Sequence, residues 1–384
     1  MINRRTLLVR AAFGGAVMTI APGMAIAAAN TDRRFIFIIQ RGAADGLATI
    51  MPVGDPDLVR LRAPLIAEGG LKLDSMFTAH PALAEIGKYY TQKEALFAHA
   101  VASPYRERSH FDAQNVLETG GEAAYRMKDG WLNRLLTLLP KAEAQAIALS
   151  ATIPLALRGK IEVASYAPSG LGDPNDDLKA RIAMLYAQDA QLHEMWQSAI
   201  NTEKMANDGT SNGAKRDPAA MGALAAKLLT GSGAARIAMI ETLGWDTHSD
   251  QPGRLANQLR QLDNMVAAMR AGLGDAWSKT VVFVATEFGR TAAINGTGGT
   301  DHGTASCAML IGGAVNGGRV VADWPGLSAN ALYEHRDLKP TMGIDQFIAA
   351  AVAGHYGLDP ARTAATLFPQ STQNARALSG LIRS

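Results

Sequence analysis

The stretch Val281 to His302, VVFVATEFGRTAAINGTGGTDH, decides the architecture. It opens on a continuous apolar run, Val281-Val282-Phe283-Val284-Ala285. A strand with one wet face alternates polar and apolar residues, so an unbroken run predicts a strand covered on both faces. Charge arrives abruptly at its carboxyl end, in Thr286-Glu287-Phe288-Gly289-Arg290. A Gly-rich loop from Asn295 to Thr300 then delivers Asp301-His302-Gly303, and another apolar run covers Ala308 to Gly313. A carboxylate closing a buried strand, with Asp-His on a loop beside it, is how an α/β protein builds a site in the crevice beyond its strands.

Working outward, the same grammar repeats. Arg34 to Gln40 (RFIFIIQ) is a buried strand that exits into Arg41-Gly42-Ala43-Ala44-Asp45-Gly46. Asp-Gly is a common turn, but no second strand follows within two residues, so Asp45 is also a candidate site carboxylate. Arg236 to Thr242 is a strand whose exit carries Gly244-Trp245-Asp246-Thr247-His248. Asp-x-His there can place Asp246 and His248 on one cation while the middle residue points away. Ala95 to Val101 is a further strand, leaving through Pro104 to Arg108 into Ser109-His110-Phe111-Asp112. Ser109 is an N-cap for a helix to about Leu117. Equally, a helix start offers free N–H groups to an anion beside the serine hydroxyl, with Arg106 and Arg108 able to add contacts. His110 is open as a ligand, an orienting residue or a capping partner.

Helical spacing is expected over Pro81–Lys93, Gly130–Leu139, Pro218–Leu229, Gly253–Leu273 and Ile344–Tyr356, with a short strand at Ala144–Leu149. The block at about 165–230 has few strand signals and a soft linker, Asn207 to Gly213, and is expected as a helical insertion. The fold expected is a three-layer α/β/α sandwich with a mostly parallel central sheet, one domain over 30–384.

The front of the chain is an address. Arg4-Arg5-Thr6-Leu7-Leu8 precedes a weakly hydrophobic Gly/Ala stretch and small-residue cleavage sites near Ala27 to Ala29, which predicts a twin-arginine signal over residues 1–29 and a periplasmic or secreted protein. Without residues 1–29 the chain keeps 34 Lys+Arg against 35 Asp+Glu, because the leader holds three arginines and no acid, so the net charge moves from +2 to −1. That balance argues against nucleic acid as a partner. No later run approaches ~20 apolar residues, so no membrane span is expected in the mature chain. Cys307 is the only cysteine; it excludes an internal disulfide and reads as a buried structural thiol.

Carboxylates and imidazoles without thiolates suit zinc, manganese, magnesium or calcium. The order of the motifs resembles the alkaline phosphatase superfamily of phosphatases, sulfatases and phosphoglycerate mutases, and more closely the exported domain-of-unknown-function family fifteen-oh-one. The resemblance implies one or two divalent metals, zinc foremost, with Asp45 and Glu287 at one position and Asp246, His248 and His302 at the other. It implies Ser109 as nucleophile, with Arg108 and His110 beside it, and a small-molecule or polymer phosphate or sulfate ester as substrate. Where the superfamily has Asp-His after the late strand this chain has Glu287-Phe288, one imidazole fewer, for which Asp301 or His110 could substitute. No Cys-x-Pro-x-Arg motif is present, against a formylglycine sulfatase, and no Gly-x-Ser-x-Gly elbow, against a metal-free serine hydrolase. A relative of the same fold that has lost turnover and binds an envelope partner is the alternative.

Overall fold

In β1 (Arg34–Gln40) every residue is buried, and its side chains divide by parity. Ile36 and Ile38 enter one apolar cluster, while Phe35, Phe37 and Ile39 enter another. That split, expected of a strand's two-residue period, means that helices cover both faces. The structure is a computed structural model and describes residues 32–140, 145–166, 176–187, 193, 196–197, 217–230, 234–371 and 378–383. The expected signal segment and the 207–213 linker lie outside these residues.

In chain order the elements are β1, α1 (Gly46–Thr49), β2 (Ile50–Met51), α2 (Leu58–Arg62), β3 (Leu71–Lys72), β4 (Thr78–Ala79), α3 (Ala84–Thr91), β5 (Ala95–Ala102), α4 (His110–Thr119) and α5 (Trp131–Leu136). Then come β6 (Ala146–Leu149), β7 (Ala164–Ser165), α6 (Asp176–Tyr186), α7 (Pro218–Thr230), β8 (Ile237–Thr242) and α8 (Gln251–Leu273). The chain closes with β9 (Thr280–Thr286), β10 (Ser306–Ile311), β11 (Val320–Val321), β12 (Met342–Gly343), α9 (Ile344–Tyr356) and α10 (Pro360–Leu367).

The main sheet runs β11-β5-β10-β9-β1-β8-β6-β7, with β12 also on β5, and β2, β4 and β3 form a small second sheet. All main-sheet pairings are parallel except those of β10, which opposes both β9 and β5. Two reversals restore direction, so β5 runs the same way as β9, β1 and β8. Their carboxyl ends, and the amino end of β10, therefore share one edge of the sheet. Leucines and aromatics of α3, α7 and α8 pack on one face, and those of α5, α9 and α10 on the other. This is the expected three-layer α/β/α arrangement.

One expectation is amended. The last helix of the anticipated 165–230 insertion, α7, is a layer helix: Leu224, Leu228 and Leu229 are buried in the same cluster as Leu255, Leu259 and Leu262 of α8. Its apolar stripe needs the sheet to cover it. The two-residue strands of the small sheet are too short to show a period in the sequence.

Cys307 is buried and burial pushes its thiol up to about 12, so it stays protonated. His99 is fully buried between Phe77 (ring centroids 5.3 Å) and Trp324 (5.1 Å). Its Nδ1 accepts from Ala100 N at 2.8 Å, and its Nε2 faces the Ile50 carbonyl at 3.0 Å, so the ring is the neutral Nε2–H tautomer. Burial depresses its pKa from 6.5 to about 4. The sign follows: the contribution is intact above pH 6.5, where the unfolded ring is also neutral, and is lost as pH falls towards 4. The full loss is about 3 kcal/mol. Urea unfolding at pH 7, 6 and 5 in the presence of a chelator should show stability falling, with a shallower fall in His99→Gln. Identical pH slopes for the two proteins would contradict this assignment.

Candidate metal centre

The shared edge gathers side chains from four segments. His110 opens α4 behind β5, Asp246 and His248 follow β8, Glu287 ends β9, and Asp301 and His302 lie on the loop into β10. Close backbone approach sets their positions. Gly42 has φ +118°, and a Cβ there would stand 2.7 Å from Asp246 N. Its own N–H donates to Glu287 Oε1 at 2.8 Å. Gly299 lies so close to His248 that a Cβ would meet its carbonyl carbon at 2.3 Å, which ties the 295–300 loop to the 246–248 loop. Arg108, a non-glycine at φ +62°, turns its carbonyl towards His302, the kind of backbone strain that concentrates at functional sites.

Each of three imidazoles is held by an acceptor on Nδ1. His110 Nδ1 lies 2.8 Å from Glu287 Oε1, His248 Nδ1 3.0 Å from Asp301 Oδ1, and His302 Nδ1 3.0 Å from the Arg108 carbonyl. Both carboxylates are ionised. Burial raises the Glu287 carboxyl, but His110, Gln114 and two backbone N–H groups more than offset it and leave it lowered; the Asn295 amide lowers Asp301. Acceptors of this kind place the hydrogen on Nδ1, so each neutral ring presents a bare Nε2 lone pair.

Those lone pairs converge. His302 Nε2 is 3.0 Å from His110 Nε2 and 3.0 Å from His248 Nε2. Asp246 Oδ1 lies 3.3 Å from His302 Nε2 and 3.0 Å from His248 Nε2, and its Oδ2 is 3.6 Å from His110 Nε2. Lone pairs facing one another at such distances repel unless a metal cation or a shared proton sits among them. Donors around a tetrahedral ion with ~2.05 Å bonds are about 3.3 Å apart, close to the spacing of His302 Nε2 from each of its neighbours. The three donors that are mutually close are His110, Asp246 and His302, with His248 reaching the group from the His302 and Asp246 side. Among the described residues, His110, Asp246 and His302 bring ligand atoms within 4.8 Å of one another. The Asp246 and His248 side chains are 43% and 44% exposed, which leaves one side of the cluster open to solvent.

Electrostatics follow the same map. The hydrogen bond to Glu287 raises the His110 pKa against burial, while burial and the neighbouring His110 lower that of His302. Burial works to raise Asp246, but the Arg290 guanidinium, 2.6 Å from its Oδ1, leaves it lowered.

Of the residues singled out from sequence, Asp246, His248 and His302 come together and His110 completes the set. Glu287 and Asp301 stand behind it, orienting His110 and His248. Asp45 goes elsewhere. Its carboxylate takes both terminal nitrogens of Arg62 at 3.0 Å and the Gln251 amide at 2.6 Å, and it caps α1 through Ala48 N. A pairing of Asp45 with Glu287 on one metal is therefore corrected, since Arg62 already neutralises Asp45. The Arg108 side chain is also committed, to Asp337 at 2.9 Å and to Glu334 at 2.5 Å, so it serves the site through its carbonyl and not as an anion contact. Ser109 is the N-cap residue of α4 but makes no side-chain cap bond. Its N–H faces the Tyr105 hydroxyl at 3.3 Å, and Tyr105 Oη in turn reaches Asp112. Two contributors carried little sequence signal. Gln114 donates to Glu287 at 3.0 Å and lies four residues beyond His110, on the same helix face. Arg290 was visible only as a charge beside Glu287.

Several solved structures are similar in outline. The C-terminal periplasmic domain of EcEptC from Escherichia coli in complex with Zn is 10% identical, covering 92% of this chain and 93% of that one, with a TM-score of 0.42. Ps i-CgsB in complex with k-i-k-neocarrahexaose is 10% identical over 85% and 72%, at 0.41. Alkaline phosphatase from the Antarctic bacterium TAB5 is 12% identical over 75% and 94%, at 0.34. These likenesses are loose, and the chemistry of the site rests on its own donors. No curated protein matches the sequence. Residues 76–366, three quarters of the chain, match the family described as "Protein of unknown function (DUF1501)", and the chain belongs to that family.

Proposed function

We propose that this chain is an exported metal-dependent hydrolase of phosphate or sulfate esters. The observation that carries the reading is the convergence of three Nε2 atoms on Asp246 with every Nδ1 already held. Three imidazole nitrogens and one carboxylate favour zinc over magnesium or calcium, which prefer all-oxygen shells, with manganese as the next choice. The bound ion would polarise the ester oxygen and lower the pKa of a nucleophile beside it. The chain's own part is positional. Glu287 and Asp301 hold their imidazoles in the metal-facing tautomer, and Arg290 keeps Asp246 ionised. Ser109, one residue before a ligand, presents its hydroxyl at the amino end of α4, whose free N–H groups suit the ester anion. On this reading the paired-arginine leader is a twin-arginine signal, so the chain would pass through that machinery and meet its substrate outside the cytoplasm.

The second reading has its own observation. Were His248 to join His110, His302 and Asp246, four protein donors would close a tetrahedron, as in structural zinc sites, which would suit a binding protein without turnover. The test is hydrolysis of aryl phosphate and aryl sulfate by protein exported with its native leader. The hydrolase reading expects turnover abolished by chelation, restored by zinc, and lowered at least about a hundredfold in kcat/KM by Ser109→Ala. Metal-loaded protein without turnover of either ester would favour the binding reading.

A further inference from the structure

Beneath the cluster lies a buried polar network that touches no ligand atom itself. Gln251, at the start of α8, is 1% exposed, and Thr247 and Thr300 are fully buried. Gln251 Oε1 accepts from Thr247 Oγ1 at 2.9 Å and from Thr300 Oγ1 at 2.6 Å. Its amide nitrogen donates to Asp45 Oδ2 at 2.6 Å, and Asp45 is fixed by the bidentate Arg62. Arg62 also donates to the carbonyls of Thr291 and Ala292, both at 3.0 Å.

The placement of the two threonines matters. Thr247 stands between the ligands Asp246 and His248, and Thr300 immediately precedes Asp301 and His302. The Thr300 hydroxyl also accepts from Arg290 Nε at 3.1 Å, and Arg290 grips Asp246. Backbone pairing supplements the clamp: Thr300 N donates to the Thr247 carbonyl at 3.2 Å, and Gln251 N to that of Gly298 at 3.1 Å. We infer that Gln251, anchored on the Asp45–Arg62 pair, is a positioning residue that sets the register of the two ligand loops and thereby pre-forms the metal site. The inference rests on the metal reading above. A site formed by distant loops binds tightly only when the loops are held before the ion arrives, because otherwise binding must supply the ordering free energy.

Cobalt(II) is the probe, read by dissociation constant and by visible ligand-field spectrum on the full mature chain. Gln251→Met and the double variant Thr247→Val/Thr300→Val should each weaken cobalt binding roughly 10–100-fold and shift the spectrum, the size seen for residues supporting metal ligands. Thr300→Ser, which keeps the hydroxyl, should stay within about threefold of wild type by the same comparison. The double variant leaves Asp45–Arg62 intact, so it reports even if Gln251→Met fails to fold. Wild-type affinity and spectrum in the folded double variant would overturn the clamp. A wild-type protein that binds no cobalt would instead overturn the metal reading beneath it.

Discussion

Replacing His302 by alanine is expected to weaken metal binding by about two orders of magnitude while leaving the protein folded. His302 is the imidazole whose Nε2 lies 3.0 Å from both other ring nitrogens and 3.3 Å from Asp246, so it touches every other donor of the cluster. Binding free energies of about 10–16 kcal/mol shared among four ligands give about 2.5–4 kcal/mol per ligand, or roughly 60- to 700-fold in affinity. The fold should survive, since the side chain is 26% exposed and belongs to no apolar cluster. Glu287→Gln should be milder, weakening the metal about 10–100-fold, because the imidazole stays and only the carboxylate that sets its tautomer is lost. Zinc affinities by competition with a chromophoric chelator check both. An unchanged affinity in His302→Ala would remove it from the ligand set.

Arg62→Met is expected to be the most damaging substitution for stability. Both side chains of the Arg62–Asp45 pair are 1% exposed. Removing one partner strands the other's charge, at a cost of about 3–5 kcal/mol. With the largest opposing group gone, burial would be countered only by the Gln251 amide, the Ala48 N–H and the more distant Arg290, so the Asp45 carboxyl would rise. The sign of the pH effect follows: the variant would be least impaired near pH 4, where Asp45 can be protonated, and progressively worse as pH rises. Adding Asp45→Asn to Arg62→Met should recover part of the loss at pH 7. Urea unfolding at pH 4.5 and 7.5 measures this, and a loss below about 1 kcal/mol at pH 7.5 would mean water reaches the pair.

That pair also marks what sequence could convey. Unbroken apolar runs announced β1, β5, β8, β9 and β10, and polar residues at their ends located the edge where the site lies. Sequence could not say what each carboxylate faces. Asp45 sits after a strand as a ligand would, yet its partner Arg62 comes from a five-residue helix with no pattern of its own. His110 was ambiguous for the opposite reason: a helix start is an equally good place for a cap, an anion or a ligand. Only the three-dimensional pairing of its Nδ1 with Glu287 separates these. The antiparallel course of β10 was equally hidden, because a buried strand reads the same in either direction, and it is this reversal that returns Asp301 and His302 to the common edge.

The most direct test is the metal content of the protein expressed from its full sequence, after extensive dialysis, by mass spectrometry of the elements. The account predicts about one tightly held divalent ion per chain, zinc foremost, and a lower content in His302→Ala. Protein that stays metal-free after incubation with zinc, manganese and cobalt in excess would contradict it.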